Sequence, residues 1–358
     1  MTLAFYAPMK PPDHPVPSGD RTMARALIQA LETAGHTVTL ASELRSRDGQ
    51  GNAARQGEIM AQADAALPAL IARGDAEGWR AWVTYHNYYK APDLIGGAVV
   101  QALGIPYLLI EATRAAKRLR GPWAHYARAA EQACDQADVI FYLTTRDEVA
   151  LRRDAVSTQS LLHLRPFLNA TALPAATFAP DAPILSVGMM RHGDKLASFR
   201  IIADTLALLP HDRWQLEIAG DGPARDAVMA LMAPFGAKVK FLGNLGASDL
   251  TAAYARAGLL FWPGVNEAFG LVYLEAQAAG LPILAQNRPA VREVLSPGSY
   301  PPVEAGAAGL AQDLAQLLGD PEARRREGQA ARDYIAENHL LPAAVATLSR
   351  GLASVGVH

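Results

Sequence analysis

Short apolar runs alternate with longer stretches of helical period along nearly the whole chain, the pattern of an α/β fold with parallel strands. Leu3–Ala7 reads as a first strand, followed by a proline-dense loop over Pro8–Gly19. Asp20 is placed to cap a helix through about Ala34, with Met23, Leu27, Ile28 and Leu31 on one face and Gly35 to end it. Thr37–Ala41 returns as a strand, while residues 42–60 are polar and carry no clear strand signal. Ala81–Tyr85, Pro106–Ile110 and Val139–Leu143 are further strands, each near a helical pattern. Between Arg165 and Pro183 the periodicity lapses around prolines 166, 174 and 180, which marks a linker. The alternation then restarts with strands Ile184–Val187, Gln215–Ala219, Val239–Leu242, Leu259–Trp262 and Pro282–Ala285. Helices over Ala197–Leu209, Ala224–Phe235, Ala247–Ala257 and Gly270–Ala279 lie between them. Two amphipathic helices, about Pro321–Glu337 and Leu341–Val355, close the chain. The pattern predicts two doubly wound halves in series, so the loops that follow strands are where ligands are expected.

Composition narrows the class without giving a function. At 358 residues, half of them hydrophobic and 19% charged, the chain is sized for two packed domains and is not disordered. Residues 1–168 carry 18 basic and 17 acidic side chains and the remainder 15 and 18, so neither half has the basic bias of a nucleic-acid binder. A single cysteine, Cys134, excludes an intrachain disulfide and a cysteine-based zinc cluster. The longest apolar stretch, Ile95–Ala112, is broken by Gln101 and Pro106 and falls short of a membrane span. The opening MTLAFYAP has neither a basic leader nor a signal-type apolar core, and a cytoplasmic location is expected.

The most informative window is Asn266–Val294, NEAFGLVYLEAQAAGLPILAQNRPAVREV. A strand ends before it, a short loop holds Glu267, and a helix begins near Gly270. The backbone N–H groups of Phe269, Gly270 and Leu271 then form a helix N-terminus, a site for an anion such as a diphosphate. Glu275, inside the helix, is placed for the two hydroxyls of a ribose, and Glu267 for sugar hydroxyls beyond the phosphates. Two acids beside an anion site repel the anion unless hydroxyl donors engage them, which argues for a sugar nucleotide over bare phosphate. In isolation the same two acids would serve equally as a loop acid and a helix-dipole partner.

The spacing of Glu267 and Glu275 within EAFGLVYLE, followed by AQAAGLPILA, resembles the E-x7-E motif of family 4 retaining glycosyltransferases, which adopt the GT-B fold. LSVGMMRHGDK at 185–195, IAGDGP at 218–223 and FLGNL at 241–245 are similar, in order, to further segments of that family's second domain. PSGDRTMARALIQALETAGHTVTLAS resembles its opening glycine loop, helix and strand, and LGIPYLLIEAT and ADVIFYLTTRDE sit where related strands belong. The likeness spans nearly the whole chain and is strongest from 184 to 294.

The resemblance implies two Rossmann-like doubly wound parallel-sheet domains facing a central cleft. Residues 1–168 would take the acceptor, with a C-terminal helix of about 341–358 packing back on them, and residues 169–340 the nucleotide sugar. It implies transfer of a sugar with retention of configuration from a nucleotide-diphosphate sugar to an acceptor hydroxyl, with no metal or other cofactor. Arg191 and Lys195 would hold the leaving diphosphate, and Asn244 and Leu245 would meet the nucleobase through their backbone. Gly19 matches the loop facing the donor phosphates, though an ordinary turn before a helix explains it too. Gly220 and Gly222 read as turn formers of the scaffold.

Three departures stand out. Met189 and Met190 separate Gly188 from Arg191, where the family's arginine directly follows the glycine, so Lys195 is the stronger candidate. Ala112 occupies the position of a family histidine, with Glu111 beside it as a substitute and His86, in VTYHNYYK, as another contact for acceptor or sugar. RPA at 288–290 replaces paired glycines before Glu293. These departures keep two other readings open, a sugar-nucleotide epimerase or hydrolase of the same fold and a degenerate sugar-nucleotide binder. Residues 114–128, RAAKRLRGPWAHYAR, cluster Arg114, Lys117, Arg118 and Arg120 beside Trp123 and Tyr126. They suit either peripheral contact with an anionic membrane face or an acidic acceptor, or simply form a solvated surface.

Overall fold

The computed structural model describes all residues except 17, 177, 178, 180, 211 and 212, so Pro180 of the predicted linker lies outside the described residues. The chain divides into two compact units, Met1–Arg165 with Leu341–His358, and Pro166–Leu340.

The first unit is built on six parallel strands. They are β1 (Thr2–Tyr6), β2 (Thr37–Ser42), β3 (Trp79–Asn87), β4 (Tyr107–Ala112), β5 (Val139–Tyr142) and β6 (Ser160–His163). Their order is β2-β1-β3-β4-β5-β6. Helices α1 (Gly19–Thr33), α2 (Ala53–Glu77), α3 (Gly96–Leu103), α4 (Ala124–Gln136) and α5 (Thr145–Arg153) are the crossovers. A parallel sheet covered on both faces needs continuous apolar strands. Leu3–Tyr6, Trp82, Val83 and Tyr107–Ile110 are accordingly buried. The winding reverses between β1 and β3, and that switch point is where a doubly wound sheet opens a crevice at its carboxyl edge.

A buried carboxylate ties the strands beside this switch point together. Asp93 accepts the hydroxyls of Thr84 and Tyr107, the latter at 2.7 Å, and the indole N–H of Trp82. Its other oxygen takes the amides of Ile95 and Gly96 at the start of α3, at 3.0 and 2.7 Å. Every oxygen is engaged, which is the condition under which a buried carboxylate can stabilise. The network ties β3 to the start of β4 and to the start of α3.

The second unit has five parallel strands: β7 (Ile184–Val187), β8 (Leu216–Ala219), β9 (Val239–Gly243), β10 (Leu259–Phe261) and β11 (Ile283–Leu284), in the order β11-β10-β7-β8-β9. Its helices are α6 (Asp194–Ala207), α7 (Arg225–Met232), α8 (Ala247–Arg256), α9 (Leu271–Ala278), α10 (Pro289–Arg292), α11 (Gly306–Gly319) and α12 (Pro321–Asn338). Here the switch point lies between β7 and β10. The last helix, α13 (Leu341–Ser354), belongs to the first unit and buries Leu348 and Leu352.

Three local expectations change. Ser18, not Asp20, caps α1, its hydroxyl accepting the Arg21 amide at 3.3 Å; Asp20 is left inside the first turn with its carboxylate available for other contacts. The polar stretch without strand signal leads into α2, a 25-residue helix capped by Asn52. The strand Ser160–His163, read neither as strand nor helix, pairs with β5 at the sheet edge. Among the described residues no helix is long and apolar enough to cross a membrane.

Candidate functional site

The second unit gathers its chemistry at the β7/β10 switch point. β7 runs through Gly188 and Met190 into α6, whose second residue is Lys195; β10 runs through Trp262 into the loop that carries Glu267. The Lys195 ammonium is hydrogen-bonded to Glu267 and lies 5.3 Å from the centroid of the Trp262 ring. The Trp262 indole N–H donates to the same Glu267 oxygen at 2.8 Å. The carboxylate is only 13% exposed and the lysine 30%. One acid thus holds one cation and one indole on a single carboxylate oxygen, and the pair opens to solvent on the lysine side.

The backbone explains how these groups meet. Trp262, wholly buried, lies against the end of β7 only because residue 188 has no side chain: a Cβ at Gly188 would stand 2.6 Å from the indole. Gly220, at φ +139°, lets the turn after β8 close on β7, since a Cβ there would come within 2.0 Å of the Gly188 carbonyl oxygen. The two segments are then joined by Gly188 N–H to the Ala219 carbonyl at 3.0 Å and Met190 N–H to the Asp221 carbonyl at 2.9 Å. The scaffold role read for Gly220 is therefore what the geometry requires of it. Asn266, at φ 52°, donates to Asp194 at 2.9 Å, and the Val265 amide donates to Ser198 at 3.2 Å, so the Glu267 loop is stitched to the first turns of α6.

Helix α9 starts one residue after its expected position, with Gly270 at φ +83° as a cap lacking any side-chain hydrogen bond. The amides of Phe269, Gly270 and Leu271 make no backbone hydrogen bond among the described residues. They are the unpaired donors of a helix N-terminus, an anion-binding arrangement. Glu275, a turn further on, accepts the Tyr254 hydroxyl at 2.8 Å. Burial raises the Glu275 carboxyl above its ordinary range, partly opposed by that hydrogen bond. A mainly apolar cavity of about 240 Å³ adjoins it, lined by Leu168, Pro174, Leu250, Tyr254 and Ala278. Asn244 and Leu245 occupy the loop between β9 and α8, the first exposed and the second half-buried.

Arg191 is the outlier. Met190 is buried and consumes the position next to the turn, and the Arg191 side chain is exposed, with no hydrogen bond or ion pair among the described residues. The structure joins Lys195 to Glu267, four residues before α9, and the Arg191 side chain makes no hydrogen bond or ion pair with either among the described residues.

In the first unit, the register pairs Tyr85 with Ile110 and Asn87 with Ala112, which leaves His86 and Glu111 side by side at the strand ends. Both are at positive φ, 72° and 58°, a conformation that costs free energy in residues with a Cβ and concentrates at functional positions. His86 Nδ1 lies 3.7 Å from Glu111 and 3.7 Å from Asp20, at the start of α1. Burial raises the Glu111 carboxyl, with His86 acting against the shift and Asp20 adding to it. Gly19 opens α1 at an exposed position with open space where a side chain would stand, so an ordinary helix start accounts for its geometry. Sequence reasoning missed Trp262, Tyr254 and Asp20 as partners of Glu267, Glu275 and His86. An aromatic five residues before Glu267 at a strand end was the available signal for the first.

The segment that carries this geometry resembles a known family. Residues 189–334, which contain Lys195, Glu267, Gly270 and Glu275, match the family model of glycosyl transferases group 1. Among individual proteins, the chain is 31% identical over 186 residues to a glycogen synthase of Mycobacterium tuberculosis, covering 48% of this chain and 43% of that protein. It is 33% identical over 129 residues to a GDP-mannose-dependent monoacylated alpha-(1-6)-phosphatidylinositol monomannoside mannosyltransferase of Corynebacterium glutamicum, covering 34% of each. The chain thus spans less than half the length of these curated relatives. A sucrose-phosphate synthase structure from Thermosynechococcus elongatus superposes with a TM-score of 0.74 at 19% identity, over 98% of this chain and 97% of that one. The fold is that of the GT-B glycosyltransferases, two parallel-sheet α/β domains.

Proposed function

We propose that the protein is a retaining glycosyltransferase that moves a sugar from a nucleotide-diphosphate sugar to an acceptor hydroxyl. The observation that carries this reading is the Lys195–Glu267–Trp262 cluster beside the unpaired amides of the α9 N-terminus, inside the segment that matches glycosyl transferases group 1. A diphosphate leaving group concentrates negative charge as it departs. An ammonium held in place and a row of backbone N–H groups stabilise that charge more in the transition state than in the ground state. The reading therefore assigns charge neutralisation to Lys195 and the helix, with no metal ion or other cofactor.

In this account Glu275 takes the ribose hydroxyls, Asn244 and Leu245 border the nucleobase, and Glu267 engages the transferred sugar while positioning Lys195. Asp20, His86 and Glu111 receive the acceptor in the first unit. The acceptor oxygen forms its bond to the anomeric carbon as the bond from that carbon to the phosphate oxygen breaks, and the acceptor proton passes to the departing phosphate. Attack and departure on the same face give retention.

The test is a thermal-shift series with UDP, GDP and ADP and their hexose conjugates. A ligand that binds the native state alone raises the melting temperature with concentration. One nucleotide series is expected to stabilise the protein and to lose that effect in Lys195→Ala. Absence of a shift with all three series would overturn the reading.

A further inference from the structure

The first unit holds two cations whose setting is a chain of aromatic rings starting at His86. From His86 the ring centroids step 4.9 Å to Tyr88, 5.5 Å to Tyr89 and 5.7 Å to Trp123. Lys90 lies 5.6 Å from the Tyr89 centroid and 5.5 Å from that of Trp123. The Arg118 guanidinium lies 4.9 and 5.4 Å from the same two rings. Neither cation forms an ion pair among the described residues.

The cluster is held from beneath. The Trp123 indole donates to the Asp48 carbonyl at 3.2 Å, and the Asp48 amide donates to the Lys90 carbonyl at 2.8 Å. The Asp48 carboxylate in turn accepts the amides of Gln50 and Asn52 and the side chain of Gln56. Residues from three separate loops are thereby locked into one surface, and the ordering entropy of two long cationic side chains is largely met before any ligand arrives. Two cations set against the same two rings repel each other, and a bound anion relieves that repulsion. Trp123 also precedes α4, so the positive end of that helix dipole adds to the potential.

The polarity of the ring chain sets the orientation of a ligand. Asp20 and Glu111 at the His86 end would repel an anion and accept hydroxyls, whereas the Trp123 end attracts an anion and offers faces for sugar C–H groups. A membrane fits less well: none of the strongly exposed large hydrophobic side chains falls within residues 114–128. We propose that Lys90, Arg118, Tyr89 and Trp123 form a binding subsite for the phosphate or carboxylate of a saccharide, whose hydroxyls reach toward His86 and Glu111. Calling that saccharide the acceptor rests on the glycosyltransferase reading; the anion subsite itself does not.

The experiment titrates glucose 6-phosphate, glucuronate and glucose into the full chain by calorimetry. A Lys195→Ala background keeps the anions off the donor site. At least one anionic sugar is expected to bind at least tenfold more tightly than glucose, and to weaken about tenfold when Lys90→Gln and Arg118→Gln are introduced together. The exchange of charges, Lys90→Arg with Arg118→Lys, should restore most of the binding, and raising the salt from 0.05 to 0.5 M should weaken it. Equal binding of anionic and neutral sugars, or no effect of the double Gln variant, would overturn the proposal. So would pelleting with vesicles containing 30% phosphatidylglycerol that is lost in the same variant while sugar binding is unmoved. Nucleotide-dependent thermal shifts in otherwise unaltered protein, carried out alongside, report separately on the donor reading.

Discussion

Replacing Glu267 by Gln separates its structural role from its charge. In the native protein one Glu267 oxygen accepts both the Lys195 ammonium and the Trp262 indole N–H. Glutamine keeps a carbonyl oxygen for the wholly buried indole, so the penalty of an unsatisfied buried donor, about 1–3 kcal/mol, is avoided. The ion pair is lost, but Lys195 is 30% exposed and can turn to water, which limits that cost to about 1 kcal/mol. Glu267→Ala removes the oxygen as well and should add the indole penalty, for a total of about 2–4 kcal/mol. Turnover should respond differently. If the carboxylate engages the transferred sugar and holds Lys195 against the developing diphosphate charge, Gln should cost about 3 kcal/mol of transition-state stabilisation, roughly a hundredfold. The assay is release of nucleoside diphosphate from the donor selected by the thermal-shift series, beside urea denaturation of both variants. Glu267→Gln is expected to melt close to the unaltered protein, keep its nucleotide affinity within about threefold and lose about 99% of its turnover. A Gln variant that retains more than a tenth of the activity would refute the role given to the charge.

Lys195→Ala should weaken nucleoside diphosphate binding by about tenfold or more, whereas Arg191→Ala, at an exposed and unpaired position, should change it by less than about twofold; calorimetric titration of both variants decides. Glu275→Gln should abolish nucleotide-dependent stabilisation yet raise the melting temperature of the free protein at pH 7.5. Burial raises the folded-state pKa of Glu275, so the native protein loses stability as pH climbs above about 4.3 and the unfolded chain ionises first. The advantage of the Gln variant should accordingly shrink toward pH 4, as followed by scanning calorimetry. Gly220→Ala would place a methyl group against the Gly188 carbonyl at a φ of +139°, and urea unfolding should show a loss of at least about 2 kcal/mol.

The second unit was legible in the sequence because its candidate site is written locally. Glu267, Gly270 and Glu275 fall within nine residues, a strand precedes them and a helix begins among them, so periodicity alone located the helix start to within one residue. Five of the six strands of the first unit were legible for the same reason, being apolar runs, whereas Ser160–His163 at the sheet edge was not. What escaped depends on contacts between distant positions or on weak local signals. α2 carries only five buried residues along 25 and gives little amphipathic contrast to read. The choice of Ser18 over Asp20 as the cap turns on backbone angles within a Ser-Gly-Asp run that offers two good candidates. The ring chain from His86 to Trp123 joins positions 37 residues apart, and the positive φ of His86 and Glu111 leaves no compositional trace. The displacement of Arg191 was visible as two inserted methionines, and the structure adds that Met190 is buried while Arg191 is exposed.

The most direct test of the account is the stereochemistry of the product. The unaltered protein would be incubated with the α-linked nucleotide sugar that stabilises it and an acceptor carrying a phosphate or carboxylate, and the new glycosidic bond read by proton NMR before any equilibration. Nucleoside diphosphate release should depend on the acceptor, and the product should be α-linked. A β-linked product, or full release of nucleoside diphosphate with the donor alone, would contradict it.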